Sequence, residues 1–244
     1  MADNCPVRGD EAAALVLWDV DHTLIENSGV AKLVYAAAYG LVAGRPSATR
    51  PVTDGRTDGE IIRGMLAANG LAVTADHEAR LFPALRQAMD AHTTVLAERG
   101  YALPGTAEAI TALDEVPGVV QSVLTGNIAY NARAKLAPFG LDRLLDLDIG
   151  GYGDDHADRH MLVAVAQHKA ATKHRRAFAA ANTLLIGDTP RDAQAGRDGG
   201  ALVLGVATGI FSEQELLDAG VQRALPDLKD TARVLATCRA LLGL

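Results

Sequence analysis

Cysteine is scarce in this chain, and the two that occur, Cys5 and Cys238, stand at opposite ends with no CxxC spacing. Such a pair builds neither a zinc site nor a disulfide framework, so free thiols are expected. Positive charge is also short: 23 Lys and Arg face 30 Asp and Glu, a net charge of −7. Binding a nucleic-acid backbone needs clustered Lys and Arg in excess, so no such partner is expected. The one basic cluster, 169–176, reads as the solvated end of a helix. Missing too is any apolar stretch long enough to span a membrane. The polar, acidic start MADNCPVRGDEAA has no apolar core of the kind a secretory signal needs. A cytoplasmic protein without a membrane partner is expected, with residues 1 to about 12 as a loose tail.

The chain does have enough apolar material for a sizeable core. Its 244 residues are 49% hydrophobic, which suits one domain with a large insertion or two small domains. Four short runs rich in Val and Leu, at 14–18, 119–124, 183–186 and 201–206, lack polar alternation. Strands covered on both faces and separated by helix-length segments predict an α/β fold, a Rossmann-like parallel sheet sandwiched by helices. Weaker strands are expected at 145–149 and 221–225.

About a hundred residues separate the first strand from the second, and that gap reads as helices at 28–42, 57–68 and 74–99. Thr57 and Glu60 have the spacing of a capping box. A further helix at 106–113 leads back to the sheet. The expected organisation is a core from 1–26 and 100–244 with an inserted α-helical cap at 27–99. An insertion emerging at the carboxyl end of a strand sits where open α/β sheets bind ligands, as a lid or simply as a packing unit.

Three strand ends carry the chemistry. The first run ends in Asp19, Val20, Asp21, His22 and Thr23, and two carboxylates one residue apart at a buried strand end call for a cation, a proton or a reaction. The second ends in Thr125, Gly126 and Asn127, a hydroxyl and a tight turn with amides suited to an anion. The third ends in Asp188, Thr189, Pro190, Arg191 and Asp192. Thr189 reads as an N-cap, Pro190 as the first helical residue and Asp192 as a carboxylate favoured by the helix dipole. Asp188 has no such explanation and reads as a metal ligand. Asp-x-Asp and Thr-Gly-Asn each also serve as ordinary turns. Jointly they supply the oxygen ligands that magnesium favours, without the His or Cys that zinc prefers.

The motifs DVDHT, LTGN and GDTPRD, in that order, resemble those of the haloacid dehalogenase superfamily, and in particular its phosphoglycolate-phosphatase-like branch with a helical cap. The resemblance implies a Mg2+-dependent phosphatase that hydrolyses a small phosphate monoester through a phosphoaspartyl intermediate. It implies Asp19 as the nucleophile and Asp21 as general acid and base. It implies Asp19, Asp188 and the main-chain carbonyl of Asp21 as metal ligands, with Asp192 in the surrounding shell or as an extra ligand. Thr125 and the amides of Gly126 and Asn127 are implied as the cradle for the phosphoryl oxygens. Relatives place a lysine, often followed by Pro, before the third strand, but here that segment has no Lys-Pro. Arg159 is the expected replacement, with His156, Lys169 and Lys173 as the other candidates. His22 stands where many relatives have glycine and is expected to shape the crevice mouth.

Asp21 argues against the dehalogenase reaction, because a halide leaves without protonation. A sugar phosphomutase of the same superfamily and a non-catalytic binding protein that kept the fold are the alternatives; retention of Asp19, Asp21 and Asp188 argues against the second. The expected partner is a small phosphorylated metabolite, and the chain is expected to be a monomer or homodimer. Arg56, Asp58 and Arg63 are candidate selectors of the leaving group, or ordinary helix-start and surface residues.

Overall fold

The computed structural model describes residues 14–53 and 55–244, so the expected tail, Cys5 included, lies outside the described residues. The described residues open with β1 (Ala14–Trp18) and β2 (Ile25–Glu26), followed by three helices, α1 (Val30–Ala43), α2 (Asp58–Ala68) and α3 (Ala75–Arg99). It returns through β3 (Tyr101–Ala102) and α4 (Thr106–Asp114) to β4 (Val119–Val123). Next come α5 (Ala129–Leu136), α6 (Met161–His174), β5 (Thr183–Gly187) and α7 (Pro190–Gly199). The chain closes with β6 (Leu202–Val206), α8 (Glu213–Asp218), β7 (Arg223–Leu225) and α9 (Thr231–Leu242).

The large sheet has five parallel strands in the order β4-β1-β5-β6-β7. Successive side chains of a strand point to opposite faces, which is why β1 must be apolar throughout. Leu15 and Leu17 pack with Leu162, Val163 and Leu216 of the helices on one face. Val16 and Trp18 pack on the other with Ile110, Leu113 and Val234. Cys238 lies on that second face as a free thiol, and burial pushes its pKa up to about 12.

The register decides what the strand ends bring together. Trp18 pairs with Val123 on one side and Ile186 on the other. Because all three strands run the same way, the residues that follow (Asp19, Leu124–Thr125 and Gly187–Asp188) emerge together along one edge.

The helices α1, α2 and α3 surround a second apolar cluster that includes Val34, Tyr39, Ile62, Leu66, Leu85 and Met89, with Ile128 contributed from the loop before α5. The chain enters and leaves this unit through the antiparallel pair β2–β3, where Ile25 faces Ala102 and Glu26 faces Tyr101. The start of α2 is fastened to the loop after β4, where the Asp58 amide donates to the Gly126 carbonyl (2.7 Å), and to the segment before α6, where the Thr57 hydroxyl donates to the Ala157 carbonyl (3.2 Å).

Two expectations are corrected. Residues 145–149 form no strand, although Leu145, Leu147 and Ile149 are buried. Asp146 turns the backbone instead, its carboxylate accepting from the Asp148 amide (3.2 Å) and its carbonyl from the Ile149 amide (3.3 Å), a local alternative to a ladder. What remains alongside β4 is isolated: the Asp146 amide donates to the Gln121 carbonyl (3.0 Å), and Leu124 and Gly151 form a single bridge. At α2, Thr57 accepts from the Glu60 amide (3.3 Å), but Glu60 does not return the bond, because Arg56 and Arg191 hold its carboxylate. Full capping boxes form instead at Thr74 and His77 of α3, at Thr189 and Asp192 of α7, and at Ser212 and Glu215 of α8. Among the described residues, no helix is long and apolar enough to cross a membrane.

Gly126 permits the contact with the start of α2, since a Cβ there would lie 2.0 Å from the Arg56 carbonyl oxygen. Gly126→Ala is therefore expected to cost about 1–3 kcal/mol through overpacking. Denaturant unfolding checks this, and an unchanged midpoint would show that the helical unit does not rest on that loop.

Candidate active site

Asp19, the first residue beyond β1, is anchored through its amide to the Ile186 carbonyl (2.8 Å). Its carboxylate is buried and accepts from Arg159 Nη2 at 2.7 Å. Burial raises its pKa to about 6, with Arg159 opposing and the charges of Asp192 and Asp21 adding to the rise. Asp188, beyond β5, is buried and accepts from the Thr23 hydroxyl at 3.2 Å. Burial, then repulsion from Asp19 and Asp192, holds its pKa well above the usual carboxylate range.

Asp192 completes the capping box of α7. One of its oxygens accepts from the Thr189 amide (3.1 Å) and hydroxyl (2.7 Å), and the other from Arg159 Nη2 (2.5 Å). Arg159 thus bridges Asp19 and Asp192. Burial works against its charge, but Asp192 and Asp19 outweigh that and raise its pKa. Of the four candidate cations it alone reaches Asp19. Lys169 pairs with Asp155 (2.7 Å) and Lys173 with Asp146 (2.8 Å), while His156 Nδ1 accepts from the Asp158 amide (2.9 Å).

Asp21 faces a different environment. One oxygen accepts from Asn27 Nδ2 (2.9 Å), the other from Asn127 Nδ2 (2.9 Å) and Lys135 Nζ (2.6 Å). Burial pushes its pKa up, but the Lys135 charge and the Asn127 bond prevail and lower it to about 2. Its side chain is therefore turned away from the other carboxylates. Thr125 is buried, and its hydroxyl accepts from Asn127 Nδ2 (2.8 Å) and from the Asn127 amide (3.3 Å). His22 has φ 63°, the left-handed region that a His tolerates and a glycine favours, and it lines the crevice as expected.

Lys135 and Asn27 were not legible as parts of this site. The signal for Lys135 was faint: on α5 it shares the buried face with Asn131, Ala132 and Leu136. Asp58 is buried, not a surface residue. It accepts from the Tyr35 hydroxyl (2.7 Å) and the Ile128 amide (2.9 Å). Arg63 forms an exposed bidentate pair with Glu78 (2.6 and 2.7 Å).

A crevice of about 90 Å³ is lined by Asp19, Asp21, Thr125, Arg159 and Asp188 from the core and by Tyr35, Thr53 and Arg56 from the helical segment. A buried water needs roughly 10–15 Å³ by this measure, so there is room for a phosphoryl-sized group and some solvent. Asp19, Asp188 and Asp192 can each bring one oxygen within 4.8 Å of the others. If all three are ionised, as a bound cation would favour, one guanidinium leaves a deficit of two positive charges, and an all-oxygen donor set suits a hard divalent cation.

A profile of the haloacid dehalogenase-like hydrolase family matches residues 16–197, and the chain belongs to that family. A hydrolase from Pseudomonas syringae shares its fold with a TM-score of 0.65 at 22% identity, over 92% of this chain and 98% of that one. A predicted phosphoglycolate phosphatase from Haemophilus somnus superposes with a TM-score of 0.66 at 16% identity, over 93% and 99%. CbbY from Rhodobacter sphaeroides, in complex with phosphate, does so with a TM-score of 0.63 at 17% identity, over 92% and 99%. No curated protein sequence matches significantly.

Asp58 generates a prediction for stability. Burial raises its pKa from 3.8 to about 6 against the opposing pull of Lys135, Tyr35 and the Ile128 amide. Between those values the folded state binds a proton that the unfolded chain releases, so the stabilisation present below the lower value is lost as pH rises through the upper. At about 1.4 kcal/mol per pKa unit, Asp58→Asn is expected to gain about 3 kcal/mol relative to wild type between pH ~4 and pH ~7. Urea unfolding at the two pH values measures it; a difference that does not change with pH would show that Asp58 carries no such burden.

Proposed function

We propose that the protein is a magnesium-dependent phosphatase that hydrolyses a small phosphate monoester through an aspartyl-phosphate intermediate. The observation that carries this reading is the pair Asp19 and Asp21, two residues apart yet held in opposite electrostatic environments. Divergent environments of this kind are how acid and base roles are divided between two carboxylates.

In this reading a carboxylate oxygen of Asp19 attacks phosphorus as the ester oxygen departs on the far side. Arg159 holds that carboxylate in place and offsets the charge that accumulates there, while Asp192 positions Arg159. The Thr125 hydroxyl and the Gly126 amide hold phosphoryl oxygens. Asp21 gives a proton to the departing oxygen and later takes one from the water that cleaves the acyl phosphate. Asp21 is ionised in the free protein, and the negative charge of an arriving phosphoryl group raises its affinity for the proton it must donate. Asn27, Asn127 and Lys135 fix the direction of its carboxylate.

Magnesium would be held by Asp19, Asp188 and the main-chain carbonyl of Asp21, and when bound it supplies positive charge to the crowded carboxylates and the phosphoryl oxygens. Asp192 has both oxygens engaged by Thr189 and Arg159, which suits it to orienting rather than ligating. Residues 27–99 act as a cap on the core formed by the segments on either side, contributing Tyr35 and Arg56 to the crevice. The substrate is a small metabolite.

Phosphate release from p-nitrophenyl phosphate with magnesium tests the assignment. Asp19→Asn is expected to lower kcat by at least about 10³-fold, since removing a nucleophile leaves only the contribution of binding and electrostatics. Chelation of the metal is expected to abolish turnover reversibly. Equal rates for wild type and Asp19→Asn would remove Asp19 from the nucleophile's role.

A further inference from the structure

Asp58, in the first turn of α2, grips the loop after β4 at two points. Its amide donates to the Gly126 carbonyl (2.7 Å), and one oxygen of its carboxylate accepts from the Ile128 amide (2.9 Å). Asn127 lies between them. The other oxygen accepts from the Tyr35 hydroxyl of α1 (2.7 Å), so both are engaged. The helix start does not need this carboxylate, because Thr57 already caps α2 by accepting from the Glu60 amide (3.3 Å). Burial makes a carboxylate costly, and what Asp58 adds is the hold on residues 126–128.

The residue held in this way is a junction of the site. Asn127 is buried, and its Nδ2 donates both to the Asp21 carboxylate (2.9 Å) and to the Thr125 hydroxyl (2.8 Å). Its Oδ1 accepts from Lys135 Nζ (2.6 Å), which also reaches Asp21 (2.6 Å). The core has its own hold on the main chain here, the Gly153 amide donating to the Asn127 carbonyl (2.8 Å). The polar groups on either side, the Gly126 carbonyl and the Ile128 amide, both turn to Asp58. A shift of this loop therefore moves a partner of Asp21 and a partner of Thr125 together. Tyr35 and Asn127 line the crevice, whereas Asp58 does not.

We propose that Asp58 is a positioning residue for ester cleavage: by holding the loop on both sides of Asn127, it fixes the side chain that aims Asp21 at the departing oxygen. The inference rests on the phosphatase reading above. It gives the helical segment a part in proton transfer without contact between Asp58 and the substrate. Misplacing a reacting group by about 1 Å can cost about 10²-fold in rate, so a grip on one loop is enough to matter.

Two esters with the same phosphoryl group and different leaving groups test it. An alkoxide needs the proton of Asp21 as it departs, whereas p-nitrophenolate leaves as a stable anion. Changes in the folded fraction or in the phosphoryl cradle act on both esters, so the ratio of their kcat/KM values isolates the acid. Asp58→Ala is expected to lower kcat/KM for an alkyl phosphate at least about tenfold more than for p-nitrophenyl phosphate. Asp58→Asn, which keeps an acceptor for the Ile128 amide and an amide donor for the Tyr35 oxygen, is expected to hold the ratio within about threefold of wild type. Asn127→Ala is expected to show the same selective loss, and adding Asp58→Ala to it is expected to leave the ratio where it stands, since residues that act through one another are not additive. Asp58→Ser, suited to a helix start but too short to span both partners, gives the same reading where the alanine variant does not fold. Equal losses on the two esters, a loss in Asp58→Asn as large as in Asp58→Ala, losses that add in the double variant, or a wild type that cleaves p-nitrophenyl phosphate but no alkyl phosphate would overturn the proposal and leave the phosphatase reading standing. Failure of the wild type to cleave any phosphate ester would bring down both.

Discussion

Asp19, Asp188 and Asp192 are crowded at the carboxyl edge of a parallel sheet, against a single guanidinium. Burial makes each ionised carboxylate costly, and their mutual repulsion adds to that cost. Arg159 offsets part of it by joining Asp19 to Asp192, and Thr23 and Thr189 supply neutral donors. The remainder is a standing attraction for positive charge, which is what a hydrolase handling a phosphate ester requires. A fold optimised for stability alone would have no reason to assemble it.

The second carboxylate at the first strand end has been set apart from this crowd. Asp21 is only two residues from Asp19, but the chain turns at His22 and the side chain meets Lys135 and two asparagines. One short segment therefore presents two acids in contrasting states, one destabilised as an anion and one stabilised. That contrast depends on α5, which projects its lysine back toward the loop that α5 itself follows.

The helical segment takes part in the same construction. The start of α2 bonds to the loop after β4, and Asp58 reaches the amide that opens α5. The loop proposed to hold the phosphoryl group thus also carries the attachment of the helices facing it. Small residues at Gly126 and Gly153 allow backbone to approach backbone there; a Cβ on Gly153 would lie 2.1 Å from the Gly126 carbonyl oxygen.

The parallel sheet, the helical insertion and the three strand-end motifs were legible in the sequence because they rest on local signals: apolar runs without alternation, helical periodicity, and polar residues placed where a strand must stop. The cap of α7 was legible for the same reason, since Thr189, Pro190 and Asp192 act within one turn. Local signals failed where a distant partner competed. Glu60 abandons the Thr57 box for two arginines, one of them on α7, and Asp146 captures the backbone of a segment whose apolar residues resemble a strand. Lys135, Asn27 and Tyr35 gave almost no signal, because a lone polar residue declares its role only when the fold shows what it faces. The amino-acid order thus determined which elements form and which chemistry reaches the sheet edge. Only the tertiary structure decided how the charges there are paired, because electrostatic coupling depends on distance through space and on burial, neither of which the order of residues contains.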